Sequence, residues 1–373
     1  MPWGCVRGEW PHSLERAAEP RMRFYSCDEL RIRKRLAKGR MMGGLKLLFL
    51  STRAGRPSYR YRVDQMLPHF KNAGHQCEVR FFPKNVFSRL LMYRELSNFD
   101  VVFIQKRLIA PMELNLVRRW ARKVVFDVDD AIMFNGDGKP DARRLRRFGS
   151  MMHAADLVVC GNGYLADHAA RYGGRTLIVP TAIDTDRFPS RCFGAIDPLQ
   201  KVIVGWTGSR STTRYLNSVF PALASLRGNV ELKIIADATD DLDFANLGNI
   251  PHRFVPWSAE TEVAETAEFD IGLMPLPDDN MTQGKCGCKA LQYMSLGTPA
   301  VCSPVGVNCD IIQHGKNGFL PKSQEEWRTV LQCLIDDAPL RTLIGRAGRQ
   351  TAETRYSLNS IAQQLVSAVE RAA

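Results

Sequence analysis

From residue 45 onward, short apolar runs alternate with stretches of helical spacing, the pattern that argues for βαβ units and a parallel sheet. Strand-sized runs fall at 45–50, 77–82, 101–105, 123–127, 157–160 and 177–179. After Pro198 the same rhythm restarts, with runs at 202–206, 232–236, 253–255, 271–274, 300–303 and a short one at 318–320. Between the first two runs, 61–73 places Val63, Met66, Leu67 and Phe70 on one helical face, and Gly74 follows as a stop signal. Pro189, Gly194 and Pro198 interrupt a stretch of little periodicity that reads as a linker. The expected organisation is a basic, floppy extension over 1–43, a first Rossmann-like domain over 44–188, a linker over 189–200 and a second Rossmann-like domain over 201–355. An amphipathic helix at 356–373 ends the chain, with Ile361, Leu365, Val366 and Val369 on one face and no target evident from the pattern. The fold class is α/β, two parallel sheets facing each other across a cleft. Open parallel sheets bind ligands beyond the carboxyl ends of their strands, so chemistry is expected just after strands.

Bulk properties narrow the function classes. A chain of 373 residues exceeds what one core usually covers, and 45% hydrophobic with 24% charged residues is ordinary for a globular protein. No stretch approaches the roughly 18 to 20 apolar residues of a membrane-spanning helix. Glu9, Glu15 and Glu19 interrupt the place of a secretory apolar region, so a cytoplasmic protein is expected. Ten scattered cysteines suggest reduced thiols; Cys286 and Cys288 form a C-x-C with no second ligand pair, so no metal is expected. The net charge of +12 and a pI near 9.3 suggest an anionic partner: a nucleic acid, an acidic membrane surface or a phosphorylated small molecule. Ten Arg or Lys against five Asp or Glu lie within 1–43. That segment is either a leader read from an upstream start, with Met41 or Met42 as the true first residue, or a membrane-binding arm.

The segment GKCGCKALQYMSLGTPAVCSPVG at 284–306 is a glycine-bearing loop, a helix, Gly297 at the helix end and a buried strand. Free N–H groups at the helix start, with the positive end of its dipole, suit a diphosphate; Gly287 permits close approach, and Lys285 and Lys289 add charge on nearly one face. The segment VIVGWTGSRSTTRY at 202–215 forms a second phosphate-shaped turn.

The first of these segments, with its continuation IIQHGKNGFL at 311–320, resembles glycosyltransferase family 4 (group 1), retaining enzymes of GT-B fold, and the likeness extends more weakly over about 45–370. Shorter stretches are also similar: NGYLAD at 162–167 and PTAIDTDRF at 180–188 match segments that fix the family's hinge and interior. The resemblance implies a nucleotide-sugar donor, held mainly by the second domain and bound as substrate with no cofactor. The family's Glu-x7-Glu positions fall on Gly284 and Gln292, so this chain resembles a branch lacking both carboxylates, in which K-C-G-F-K-x-L-Q-Y-M stands at this place. Gln292 can still hydrogen-bond a ribose diol through its amide.

On this reading Gly208, Ser209, Arg210, Gly287 and Gln292 contact the donor, and Arg214 is a weaker candidate. Lys285 and Lys289 stabilise the departing diphosphate. In the first domain, Arg60 and Arg62 in STRAGRPSYRYR (51–62) are candidates for an anionic acceptor, together with Asp127. Crowding among Asp127, Asp129 and Asp130 can raise a pKa toward general-base use, and Lys106 and Arg107 are weaker candidates at a neighbouring strand end. The expected activity is transfer of a sugar to an acceptor hydroxyl with retention, in cell-surface polysaccharide or glycolipid synthesis, by a cytoplasmic protein that can touch the anionic inner face of the membrane. Alternatives are a nucleotide-sugar-binding protein without transferase activity, a sugar-nucleotide epimerase of the same fold, and a basic nucleic-acid binder that lacks a reading motif.

Overall fold

The computed structural model describes residues 44–190 and 201–373. The basic extension and most of the expected linker lie outside these residues. The first sheet has six strands, β1 (Lys46–Ser51), β2 (Gln76–Phe81), β3 (Val101–Gln105), β4 (Lys123–Val128), β5 (Leu157–Cys160) and β6 (Thr176–Ile178), in the order β2-β1-β3-β4-β5-β6. The second has five, β7 (Val202–Gly208), β8 (Val230–Ala236), β9 (His252–Pro256), β10 (Ile271–Met274) and β11 (Ala300–Cys302), in the order β11-β10-β7-β8-β9. Every pairing is parallel.

The strand sequences explain why both faces of each sheet are covered. In β1, Leu48 and Leu50 enter the core on one face while Leu47 and Phe49 enter the core on the other; in β3, Val102 and Ile104 divide from Val101 and Phe103 in the same way. A strand that is apolar at both parities must be buried on both sides, and the intervening helices supply the cover. Lys233 of β8 breaks the apolar run. It is buried and held by Glu265 and Glu268, at 2.5 and 2.8 Å.

Two expected elements differ. The helix expected over 61–73 is a helix at Pro57–Arg62, a 3-10 turn at Asp64–Met66 and a second helix at Leu67–Asn72. Pro68 is responsible, because it donates no N–H and its ring collides with the carbonyl four residues back in a continuous helix. Val63, Met66 and Phe70 are buried nonetheless. The strand expected at 318–320 is reduced to two isolated bridges, Val301 with Phe319 and His314 with Gly318.

The last helix, Leu358–Ala372, closes the fold by returning to the first sheet. Ile361, Leu365, Val366 and Val369 join Leu47, Phe49, Val101, Phe103 and Val125 in one core. The backbone ties the return in place, with the Ile183 N–H donating to the Tyr356 carbonyl and the Leu358 N–H to the Ile183 carbonyl. The chain therefore leaves the first domain once and re-enters it at its end. Leu365→Ala should cost about 2–5 kcal/mol of the first domain's stability, read as a lower denaturation midpoint in urea.

Each sheet reverses its strand order once, at β1/β3 in the first and at β7/β10 in the second. Loops that diverge at such a point leave a crevice at the strands' carboxyl ends. Residues 52–56 and Lys106 stand at the first crevice, and Ser209 and Arg210 at the second.

Candidate functional site

The two crevices meet through the loop 284–287, which enters the first domain. Cys286 is buried in the core beneath the first sheet, its thiol near the Asp129 carbonyl at 3.2 Å. Asn162 caps the helix Gly163–Arg171 through its side-chain oxygen and donates its amide to the Lys285 carbonyl at 2.9 Å. Gly284 lies so close to the opposite chain that an added Cβ would stand 2.5 Å from the Ala131 Cβ and 2.7 Å from its backbone nitrogen. A glutamate does not fit there. The lack of a side chain at 284 follows from how deeply this loop seats.

The amide at 292 also has a local setting. Gln292 is buried and donates its amide to the Tyr61 hydroxyl at 2.8 Å and to the Glu262 carboxylate at 2.9 Å. Glu262 in turn holds Arg60 at 2.5 Å. A carboxylate at 292 would face Glu262 as a like charge, whereas an amide can donate to it. Neither Glu262 nor Tyr61 was singled out by the sequence. The link spans residues far apart in the chain, and no local pattern announces it.

The candidates divide once their partners are known. Arg62 and Asp127, expected at the acceptor, are buried against each other with a contact of 2.5 Å, and Arg62 also donates to the Val179 and Pro180 carbonyls. Burial pushes the Asp127 carboxyl up to about 6, against the pull of Arg62. The guanidinium stays protonated, so the pair is an internal clamp between β4 and the end of β6 and offers nothing to an acceptor. Arg60 is likewise committed to Glu262 and lies over the Trp257 ring at 5.3 Å.

Asp130 corrects the general-base expectation. It accepts from Lys106 at 3.0 Å and from Lys285 at 3.1 Å. Burial alone would raise its carboxyl, but the two lysine charges outweigh that and hold it below its ordinary range. A carboxylate so stabilised is a poor proton acceptor. Asp129 lies 3.3 Å from the same Lys106 nitrogen. Lys106 reaches both because its backbone takes a left-handed turn, φ 50°, at the end of β3. Among the described residues no three His, Cys, Asp or Glu side chains converge as a metal site.

Lys289 is different from Lys285. It lies in the first turn of the helix Cys288–Ser295, whose N-cap Gly287 is left-handed at φ 69° and brings no capping side chain. Its ammonium lies over the Trp206 ring at 5.3 Å, and no carboxylate pairs with it among the described residues. Burial and the neighbouring Lys285 charge lower its pKa to about 8. Gly208 makes the arrangement possible, since a Cβ there would meet the Trp206 ring at 2.5 Å and the Lys289 Cε at 2.7 Å.

Beside this cation, Arg56, Ser209, Arg210, Ser211, Asp237 and Asp241 line an open hollow of about 430 Å³. Arg56, which the sequence reading passed over in favour of Arg60 and Arg62, is the residue before Pro57 and is extended there, outside the helix. Arg210 pairs with Asp240 at 3.1 Å in the open, and Arg214 donates across the domains to the Gly136 carbonyl at 2.8 Å.

This architecture is shared with solved structures of glycosyltransferases. Anabaena HepE, in complex with UDP and glucose, matches 88% of this chain and 100% of its own with a TM-score of 0.68 at 17% identity. Sucrose-phosphate synthase from Thermosynechococcus elongatus matches 88% of this chain and 98% of its own with a TM-score of 0.71 at 13% identity. The fold is GT-B. Residues 202–337, within the second domain, match the family described as Glycosyl transferases group 1. Sulfoquinovosyl transferase SQD2 of Arabidopsis thaliana is 31% identical over 157 residues, covering 40% of this chain. The match spans 29% of that relative's length.

A glutamate at 284 should not be tolerated. Gly284→Glu is expected to lower the thermal midpoint and reduce soluble yield, because the Ala131 backbone cannot retreat without unseating Cys286; a variant as stable as the parent would show that the loop is not seated this deeply.

Proposed function

We propose that this protein transfers a sugar from a nucleoside-diphosphate sugar to an acceptor hydroxyl, in polysaccharide or glycolipid synthesis on the cytoplasmic side of the membrane. The observation that carries the reading is Lys289, an ammonium without a carboxylate partner at a helix N-terminus in the cleft. Its surroundings match what a departing diphosphate requires. Backbone N–H groups of the first turn and the helix dipole favour anions, and Gly287 lets phosphate oxygens approach. Lys289 adds a full charge in a partly desolvated place, where it acts more strongly than in water. Ser209, Arg210 and Arg56 border the adjoining hollow and are candidates for the remainder of the donor or for the acceptor.

Support for the donor class comes from HepE, whose structure is described with UDP and glucose, and from the group 1 match across the second domain. UDP-glucose is therefore the first donor to test. Transfer with retention, carried over from the family resemblance, completes the proposal. A second reading, donor binding without transfer, is favoured by the commitment of Asp127 to Arg62 and of Asp130 to Lys106 and Lys285, with no side chain at Gly284.

A thermal-shift panel of UDP, GDP, ADP and dTDP sugars should raise the unfolding temperature with one nucleotide class, since a ligand that binds only the folded state stabilises it. Lys289→Ala should then cut sugar transfer by about 10²–10³-fold, the effect of losing one preorganised charge donor, with the thermal midpoint of the free protein retained. A shift without sugar transfer or donor hydrolysis would favour the second reading, and no shift with any donor would remove both.

A further inference from the structure

The edge of the first domain beside the cleft carries side chains that no step above uses. The helices Val86–Arg94, Pro111–Trp120 and Ala142–Ala154 follow β2, β3 and β4 and pack side by side. All three therefore begin at the carboxyl end of the first sheet, and their first turns form one rim. On it Phe87 is 66% exposed and Met112 84% exposed, with Val86 also open to solvent. Leu91, four residues after Phe87, extends the apolar strip along the same helix face.

The third helix contributes charge. Arg143, Arg144, Arg146 and Arg147 lie in it, its first turn contains no acidic residue, and none of the four pairs with a carboxylate among the described residues. Arg144 donates only to the Ile132 carbonyl, at 3.2 Å. Arg107, over the Phe82 ring at 4.6 Å, feels the Arg147 charge from the adjoining loop. Two acids of these helices are committed: Glu113 accepts from Arg89 and Tyr93, and Asp141 caps the third helix by accepting from the Arg144 N–H.

We propose that this rim docks the first domain on an anionic lipid bilayer, with Phe87, Met112 and Val86 entering the headgroup region and the arginines meeting lipid phosphates. Apolar tips flanked by uncompensated cations are what such a surface selects. A second copy of the chain fits less well, because two such rims would press arginine against arginine. A nucleic acid would use the arginines and leave Phe87 and Met112 without an apolar partner. The docked rim would bring the cleft to the membrane surface, where a lipid-borne hydroxyl is within reach. The inference stands independently of the donor reading.

The test is sedimentation of the full chain with vesicles of phosphatidylcholine alone and of phosphatidylcholine mixed with phosphatidylglycerol. Binding is expected with the mixed vesicles and not with the neutral ones. Phe87→Ser/Met112→Ser and Arg143→Gln/Arg147→Gln should each weaken it by about tenfold, with thermal midpoints kept as a control for folding. Equal binding to neutral vesicles would overturn the proposal. So would rim variants that bind like the parent, which would place the contact on residues 1–43, or rim variants that change the oligomeric state instead of vesicle binding.

Discussion

Asp130 is held between Lys106 of its own domain and Lys285 of the other, and the rest of the site is arranged around that contact. Taking the three groups partly out of water is costly, and the attraction between them offsets the cost only in good geometry. What the contact secures is register. With Lys285 fixed on Asp130, Cys286 enters the first core, Gly284 closes on Ala131, and the loop's last residue delivers Gly287 to the start of the helix. One turn further on, Lys289 is left with its charge uncompensated. One lysine is neutralised and the next is spared, which is the basis of the proposed anion site.

Gly284 and Gln292 belong to this arrangement. Gly284 is small because the loop is seated against Ala131, and Gln292 is an amide because Glu262 already supplies a carboxylate beside it. Tyr61 and Arg60 complete that second contact from the first domain. Each of the two residues thus has a defined neighbour, Ala131 against Gly284 and the Glu262 and Tyr61 pair on Gln292. On the proposed function, the positive charge for leaving-group stabilisation then rests on Lys289 and the helix end.

How much of this could be read from sequence follows the range of the interactions. Strands at 101–105, 157–160 and 271–274 were legible to the residue because they are apolar at both parities and flanked by turns. The glycine loop and its helix were legible because cap, spacing and Gly297 are local signals. Partner assignments were not. Arg62 and Asp127 look as available as Lys289 in a string of letters, yet they stand 65 positions apart and consume each other. Lys285 and Lys289 share one helical-looking stretch, and only the approach of Asp130 from the other domain separates their roles. The last helix showed its apolar face but not the sheet it covers, since that pairing joins the two ends of the fold. The break at Pro68 does not show in the periodicity of 61–73, because the apolar face it interrupts remains buried on both sides of it.

Lys289 is the point at which the account is most exposed. Its pKa, lowered to about 8, makes the cation complete below that pH and lost as pH rises through it. The direct measurement is the affinity for the cognate nucleoside diphosphate, titrated calorimetrically between pH 7 and 9.5, for the parent and for Lys289→Gln. The phosphates are fully ionised over most of this range, so the account predicts that the parent's affinity falls by up to about tenfold per pH unit above pH 8 and that the variant binds weakly with little pH dependence. A parent whose affinity is flat across the range, or a variant that follows the same curve, would contradict it.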